Sequence, residues 1–373
     1  MTAAPPPKVI PKGTLGVSVW VLVLLTKFHD FVPSYRLLGM LRQHGLDLAL
    51  GTITDGLRKM VPLFEPLYDA LVTYNRQETH WQADETRWLV FVPHPGGKAN
   101  FAWNLWVFRG RRSVVFVLDP TRTHHVPEDH LPHATDGQER FLSVDRYSSY
   151  KAIVQVKNGT IVLAFCWAHM RRDFIYALVA WRENQAVTDW CVAWLQRIAA
   201  LYDANDERLA VREQPDQFAA KDRVLRAQIE QITSQRRQEL QRPDLHPACV
   251  KILNSMENHW SGLTVFVEHP EIPMDNNAAE RAERGPVVGR NNFYGSGALW
   301  SGCLAAMLFS ILQTLELWGL NVHLWLTSYL QACAEAGGKV PSDLSALLPW
   351  SMSDEQRQAY QKPARNGTVP DSS

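Results

Sequence analysis

The spacing of apolar and polar positions divides the chain into a helical first part, a strand-rich middle and a helical second half. In residues 14–76, apolar side chains recur at helical spacing. This stretch predicts short helices that are separated at Pro33, Gly39, Gly45 and Gly51. A helix-turn-helix and an ordinary helical hairpin both give this pattern, and the hairpin is the simpler interpretation. The apolar run from Leu15 to Leu25 is too short to span a bilayer, so we expect a buried helix there.

Beyond residue 79 the pattern changes to short runs rich in β-branched and aromatic residues, bounded by glycine, proline and polar clusters. Several of these runs lie close enough in sequence to form hairpins. They predict five strands, with the sequences HWQADETRWLVFV, FAWNLWVFRG, RRSVVFVLD, RFLSVDRYSSY and TIVLAFCWAH.

The second half of the chain returns to helical spacing. From Met170 to His269 the pattern is helical, and both signs of charge alternate between Asn205 and Arg242, which indicates a solvated helical pair rather than a basic arm. The mostly apolar segment from Leu299 to Ala336 predicts core helices. The polar tail after Trp350 has the composition of a disordered segment.

Size and composition describe a globular protein without an overall charge preference. The 373 residues, 46% of them hydrophobic and 20% charged, indicate a main domain with subdomains. Thirty-eight basic residues balance thirty-eight acidic ones, so any surface for a nucleic acid must be local. The five cysteines include no C-x-x-C pair and no evident disulfide framework, which fits a reducing cytoplasm.

Two aspartates stand out because they lie in or next to apolar strands. Asp84 belongs to the first predicted strand, and Asp145 follows the fourth. A carboxylate beside a sheet loses hydration, so it persists there mainly with a cation or a strong hydrogen-bond partner. For either aspartate alone, a turn or cap at the strand end is the simpler interpretation. Asp119, which precedes a proline, is likewise predicted to form a turn.

The stretch MDNNAAERAERGPVVGRNNF, residues 274–293, concentrates amides, arginines and carboxylates. Asn277 could cap a helix, with Glu280 returning a bond to the cap or pairing with Arg284. Those roles do not account for the remaining amides and arginines. Contacts with phosphate groups would account for them, and the candidate residues are Asn276, Asn277, Arg281, Arg284, Arg290 and Asn291.

A further interpretation joins Asp84, Asp145 and Glu280 in one site. In such sites, acidic side chains hold two divalent ions about 3.5–4 Å apart, which act on a phosphodiester. Carboxylate oxygens suit magnesium or manganese. Two ligands on neighbouring strands and a third on a helix that crosses the sheet would converge even though they are distant in sequence.

The segment CWAHMRRDF contains a cysteine and a histidine, Cys166 and His169. These could suggest a nucleophile with its base or half of a zinc site, but no second Cys/His pair with suitable spacing follows. We expect Cys166 to be buried at a strand end. His169, Arg171 and Arg172 at the start of a helix would suit contact with phosphate groups.

The segment THHVPEDHLPH contains a cluster of possible metal ligands, consisting of His124, His125, Asp129, His130 and His133. A transition metal bound there would make the protein a hydrolase of an unrelated kind. The proline-rich context favours an exposed loop instead.

In this order, ADETRW, SVDRYSSY, CWAHMRRDF, DNNAAERAERGPVVGRNNF and GSGALWSGCLAAMLFSILQTLELWG resemble the signature blocks of bacterial insertion-sequence DDE transposases, specifically insertion sequence family 66. LYDAL before the first block and RIAALYDAND within the helical part extend the resemblance, which runs from Ile10 to Trp350. Each block alone is moderately specific, and their common order is much more so.

The resemblance implies an α/β fold with a ribonuclease-H-like core, in which helices flank a mixed five-stranded sheet. The core would consist of residues 77–169 and 270–336, with a helical insertion at 170–269. Residues 1–76 would form an N-terminal helical region, and residues 337–373 a C-terminal tail.

The resemblance also implies a function and a site. Asp84, Asp145 and Glu280 would be the acidic triad, holding two Mg²⁺ or Mn²⁺ ions, and His169 and Arg172 would lie near it. The enzyme would cut at the element's ends and join the freed 3′ hydroxyl to target DNA without a covalent intermediate. Its partners would be the terminal inverted repeats, target DNA, further copies of the chain and accessory proteins of the same element. It would act in the cytoplasm at the nucleoid, without a membrane.

The sequence departs from the family pattern in three places. DETR replaces the usual DETP, and GRNN replaces GRKN, which removes a cation. The family's usual N-terminal zinc-binding or coiled-coil extension would precede the region where this chain begins. An inactive, truncated DNA-binding remnant therefore remains an alternative function, and a hydrolase built on the His124–His133 cluster is a third.

Overall fold

The computed structural model describes residues 6–92, 102–133 and 136–361. All five predicted strands are confirmed within these residues, and the second and third form an antiparallel hairpin. The strands are β1 (His80–Leu89), β2 (Ala102–Arg109), β3 (Val114–Asp119), β4 (Phe141–Val144) and β5 (Val162–Phe165).

Helices precede, interrupt and follow the strands. Those before and between the strands are α1 (Val17–Phe28), α2 (Ser34–Gln43), α3 (Leu50–Asn75), α4 (His125–His130), α5 (Ser148–Ala152) and α6 (Val154–Lys157). The helices after β5 are α7 (Trp167–Ala180), α8 (Gln185–Ala210), α9 (Pro215–Leu240), α10 (Pro247–Asn258), α11 (Trp260–Leu263), α12 (Val265–Glu268), α13 (Asn277–Phe293), α14 (Leu299–Leu317), α15 (Val322–Glu335) and α16 (Asp354–Ala359). A 3₁₀ helix covers Ser345–Leu347.

The strands form one mixed sheet in the order β3-β2-β1-β4-β5, which confirms the α/β class. β4 is parallel to both β1 and β5, whereas β2 and β3 are antiparallel. All four residues of β4 are buried, as expected for a parallel strand that is covered on both faces.

The chain forms two compact units. The first consists of Met1–Glu78, Glu85–Val126 and Ala278–Ser373, and the second of Thr79–Asp84 and Pro127–Asn277.

In the first unit, the apolar faces of α1, α3, α14 and α15 share one core with β2 and β3. α1 is the buried helix predicted around residues 15–25. Its Trp20 lies against Gly56 of α3, where an added Cβ would come within 1.9 Å of the indole ring. A glycine is therefore needed for this close approach of two helices.

α14 covers the outer edge of β3 with two hydroxyl groups. The backbone amide of Val114 donates to Thr314 Oγ1 at 3.0 Å, and that of Phe116 donates to Ser310 Oγ at 2.8 Å. These bonds satisfy an edge strand that would otherwise expose its amides. α14 is long and apolar enough to cross a membrane, but 67% of its apolar window is buried within the protein. Its packing is that of the predicted core helix.

In the second unit, α8 and α9 pack together as the predicted helical pair. Buried polar bonds fix this pair. The fully buried guanidinium of Arg208 donates to Asp222 Oδ1 at 2.8 Å and to the carbonyl oxygens of Phe266 and Val267. Trp194 Nε1 donates to Glu239 Oε2 at 2.8 Å. The terminal nitrogens of Arg208 and the indole nitrogen of Trp194 are therefore matched by acceptors on neighbouring segments.

Two expectations about local structure were wrong. The region up to residue 76 is not made only of short helices, since α3 continues for 26 residues and contains Gly51, Pro62 and Pro66. Burial of its apolar face outweighs these breakers. The tail after Trp350 is not disordered throughout, because α16 follows a capping box in which Ser353 accepts the Gln356 amide. Residues 362–373 lie outside the described residues.

Candidate functional site

Two of the three candidate carboxylates lie level with each other on neighbouring strands of the second unit. β1 and β4 are parallel, and their register pairs Gln82 with Ser143. Continued by two residues, this register sets Asp84 opposite Asp145. Aligned residues of neighbouring parallel strands point to the same face, and their backbones are about 4.8 Å apart. The two carboxylates therefore share one face of the sheet where β4 ends.

Both carboxylates are half-buried. Asp145 Oδ1 accepts the backbone amide of Tyr147 at 2.8 Å, so the turn proposed as its simplest role is present. An ionised carboxylate has about four acceptor positions, and one turn bond leaves most of them available. Asp119 forms the predicted turn as well, since its Oδ1 accepts the Thr121 amide at 2.7 Å.

Arg146, which the sequence analysis did not single out, fixes the chain directly after Asp145. Its guanidinium is only 13% exposed and donates to Asp173 Oδ2 at 2.7 Å, to Ser255 Oγ at 2.7 Å and to the His169 carbonyl oxygen at 3.0 Å. These partners belong to α7 and α10. Arg146 therefore ties the end of β4 to two helices and pairs with Asp173.

The segment just before α13 is bonded to the same edge of the sheet. Trp167 donates its amide to the Met274 carbonyl oxygen at 2.8 Å. Asn276 is fully buried, and its Nδ2 donates to the Ala83 carbonyl oxygen at 2.8 Å while its backbone amide contacts Cys166 Sγ at 3.2 Å. We therefore revise the predicted role of Asn276, because a buried amide that is bonded to β1 positions the chain and does not reach DNA.

Cys166 is buried where β5 ends, as expected. Burial raises the pKa of its thiol to about 11, so the thiol is protonated near neutral pH. A protonated thiol is a poor nucleophile.

The three basic candidates of the second unit lie at the start of α7. This helix begins at Trp167, directly after β5 and Cys166. His169 and Arg172 are half-buried, whereas Arg171 is exposed. No acidic residue occupies the first turn, so the amino end of the helix and the guanidinium groups of Arg171 and Arg172 present positive charge together.

The remaining candidates lie on α13, and all except Asn277 belong to the first unit. Glu280 occupies the first turn of the helix and is half-buried. α13 starts at Asn277 itself, whose amide donates to Asp275 Oδ1 at 3.0 Å. Asp275 therefore provides an acceptor at the start of the helix, which is the capping role that was predicted for Asn277.

Further along α13 the basic and amide side chains differ in exposure. Arg281, Arg284 and Asn291 are exposed. Arg290 is half-buried, and its Nη1 donates to Thr86 Oγ1 at 3.0 Å and to the Arg87 carbonyl oxygen at 2.6 Å. Arg290 was predicted to contact phosphate groups. Through Nη1 it instead holds α13 to β1.

Glu85, the neighbour of Asp84, was not among the residues predicted from the sequence. Its side chain is 2% exposed, and Arg122 Nε donates to its Oε1 at 2.6 Å. The sequence offered one signal for Glu85. Successive residues of a strand point to opposite faces, so two adjacent carboxylates place one acidic side chain on each face of β1, and each needs a partner. Glu85 is already neutralised by a cation.

The predicted exposed loop of the histidine cluster is instead the short helix α4 followed by a turn. His130 is 4% exposed, and Val126 and Leu131 are buried as well. In the described part of this segment, no three histidines and carboxylates bring ligand atoms within 4.8 Å of one another. The structure thus gives no support to a metal site in this segment.

Comparison with known proteins identifies the family. Three proteins of Sinorhizobium fredii, each described as uncharacterized, are similar over nearly the whole chain. They are y4jD, with 25% identity over 95% of this chain and 70% of its own length, y4hP, with 22% over 91% and 63%, and y4qI, with 25% over 94% and 65%. The chain thus spans between 63% and 70% of these relatives. The family model described as "Transposase IS66 family" matches residues 12–303, which is most of the chain. The protein therefore belongs to the IS66 family of transposases.

Proposed function

We propose that the protein is a DDE-type transposase that cuts DNA at the ends of an insertion sequence and transfers the freed 3′ end to target DNA. The observation that carries this proposal is the register of the parallel strands β1 and β4, which, when continued by two residues, sets Asp84 level with Asp145 directly after β4. Membership of a transposase family supports DNA as the partner. The mixed sheet with flanking helices supports a ribonuclease-H-like core, with the helices between β5 and α13 as its insertion.

The donor set fits two hard divalent cations. Asp84 and Asp145 offer carboxylate oxygens on one face of the sheet, and Arg146 pairs with Asp173 on α7. Such oxygens suit Mg²⁺ or Mn²⁺. When bound, a pair of these ions activates the attacking oxygen and stabilises the leaving one. Glu280, in the first turn of α13, is the proposed third ligand.

The chain's own residues would hold DNA in line for two displacements. In the first, a water oxygen bonds to phosphorus and the bond to the 3′ oxygen breaks. In the second, that 3′ hydroxyl attacks a target phosphodiester and displaces a target 3′ oxygen. His169, Arg171 and Arg172 on α7, and Asn277, Arg281, Arg284 and Asn291 on α13, are the proposed phosphate contacts, with Arg290 supporting α13. Because two element ends must be held in one complex, we propose a homo-oligomer acting at the nucleoid, with accessory proteins of the element as further partners.

Cleavage of DNA that carries the ends flanking the gene tests this function. We expect Mg²⁺- or Mn²⁺-dependent nicking by the native chain. Asp84→Asn, Asp145→Asn and Glu280→Gln should each lower the rate by at least about a hundredfold, because each removes a charged ligand but keeps the side-chain shape. Glu280→Gln is informative because glutamine can still support a helix start.

Asp119→Asn is the matched control, since Asp119 also ends a strand and forms a turn but lies outside the proposed triad. All variants must first show native thermal stability. Equal cleavage by native protein and triad variants would refute the proposed triad. DNA binding without cleavage by the native chain would identify an inactive DNA-binding remnant instead.

A further inference from the structure

The first unit contains a cavity of about 580 Å³ that the proposed chemistry does not use. It lies between the end of α1, the starts of α2, α3 and α14, one residue of β1 and the chain after α13. This size is typical of sites for small organic ligands. We name it the aromatic pocket, defined by Lys27, Tyr35, Trp88, Phe293, Tyr294 and Trp300.

Among the described residues that line the pocket, Lys27 is the one with an amine, and its side chain is largely buried. Its Nζ lies 4.5 Å from the ring centroid of Phe293 and 5.6 Å from that of Phe28. Among the described residues, no carboxylate lies within ion-pair distance of this ammonium group. Burial lowers the pKa of Lys27 to about 8. A desolvated cation among aromatic rings, without an acidic partner, is an arrangement that binding sites use.

The loop after α13 is fixed to β1, which holds its aromatic residue at the pocket. Ser296 donates its amide to the Leu89 carbonyl oxygen at 2.8 Å and accepts the Trp88 indole N–H through Oγ at 3.0 Å. Gly295 has φ 133°, and an added Cβ would come within 2.2 Å of the same Leu89 oxygen. Only glycine permits this approach.

Two tyrosines in the lining are exposed residues. Tyr35 is 65% exposed and Tyr294 is 70% exposed. Tyr294 also has φ 65°, a left-handed conformation that costs a non-glycine residue free energy. The fold therefore maintains a strained backbone that leaves a tyrosine ring uncovered beside an aromatic cavity.

We propose that the aromatic pocket binds one unstacked nucleobase of the DNA, with Tyr294 and Tyr35 stacking on the base and the Lys27 ammonium group donating to a base oxygen or ring nitrogen. Enzymes acting on DNA can take a base out of the helix into such a pocket, and aromatic side chains stack on any base. This inference rests on the proposed function, because it assumes DNA as the substrate.

The position of the pocket on α13 favours a base over other planar ligands. The helix that carries the exposed Arg281 and Arg284 ends at Phe293, which lines the pocket together with the adjacent Asn292. DNA held by these arginines would run along the helix towards Tyr294. A peptide or a free metabolite would have no need of the basic residues on this helix.

A duplex with one unpaired adenine, compared with the same duplex carrying an abasic site there, tests the proposal. Binding is measured by fluorescence anisotropy without divalent ions, so that no cleavage intervenes. The native chain should prefer the unpaired base by about 5- to 100-fold, the range expected for one stacked base. Tyr294→Ala and Lys27→Met should lose most of this preference, whereas Tyr294→Phe should keep it.

Tyr176→Ala is the matched control, because Tyr176 is 63% exposed but lies in the second unit. Replacing the unpaired adenine with 2-aminopurine adds a direct readout, since its fluorescence should be quenched by stacking in the native complex and not with Tyr294→Ala. Equal affinity for base and abasic site, with DNA still bound, would overturn the pocket and leave the transposase proposal intact. Failure to bind any DNA would overturn both.

Discussion

At the scale of single residues, similar sequence contexts lead to different roles. Asp119 and Asp145 both end an apolar strand, and both accept an amide two residues later. The sequence predicted this turn for Asp119 and allowed it for Asp145. Only Asp145 has a second carboxylate set opposite it on the neighbouring strand. The proposed role of Asp145 in metal binding therefore rests on this neighbouring carboxylate and not on the turn.

Lys27 provides a prediction about stability and pH. The folded protein holds its pKa near 8, below the ordinary 10.5, so the unfolded chain binds more protons between these values. Stability should therefore rise with pH in that window. Lys27→Met should raise the free energy of unfolding by about 1–2 kcal/mol below pH 8, because methionine removes a desolvated charge at the loss of a cation–π contact.

Urea unfolding of both proteins at several pH values measures this difference. The gain from Lys27→Met should shrink above pH 8 and vanish above about pH 10.5. Lys59→Met is the control, since Lys59 is 56% exposed and pairs with Asp55, and its effect should be small. If Lys27→Met is less stable than the native protein at pH 7, burial of the ammonium group does not destabilise the fold.

At the scale of elements, the sequence predicted all five strands and the core helices because periodic burial is a local property. It failed at α3, where Gly51 suggested a break that packing against α14 overrides. It also failed at α4, where proline and histidines suggested a loop but burial of Val126 and Leu131 stabilises a helical turn.

Hydrogen bonds of Arg146 connect the end of β4 to α7 and α10. Arg146→Gln should lower the free energy of unfolding by about 1–3 kcal/mol, because it leaves Asp173 and the buried acceptors without their cation. Denaturant unfolding measures the loss. Arg242→Gln is the control, because this exposed pair with Asp244 is screened by solvent and its loss should leave the stability nearly unchanged.

A double-mutant cycle distinguishes this pair from general damage. Because the two side chains contact each other, Arg146→Gln combined with Asp173→Asn should cost less than the sum of the single changes. Strict additivity would mean that Arg146 acts through its other partners alone.

At the scale of the whole molecule, a formal charge of zero makes local placement of cations decisive. If Arg171, Arg172, Arg281 and Arg284 contact phosphates, the logarithm of the association constant for duplex DNA should fall with log salt with a slope of about −3 to −4. Arg281→Gln should reduce the magnitude of this slope by about 1. Lys221→Gln, at an exposed pair with Glu207, should leave it unchanged. An unaltered slope for Arg281→Gln would show that Arg281 does not contact a phosphate group.

The sequence by itself determined the order of elements, the presence of three candidate carboxylates and the family, since periodicity and motif order are properties of consecutive residues. Only the tertiary structure decided that Asp84 lies opposite Asp145, that Asn276 is buried against Ala83, and that the aromatic pocket is assembled from several distant segments. Strand register and burial depend on residues far apart in the chain, and local patterns do not specify which of them meet.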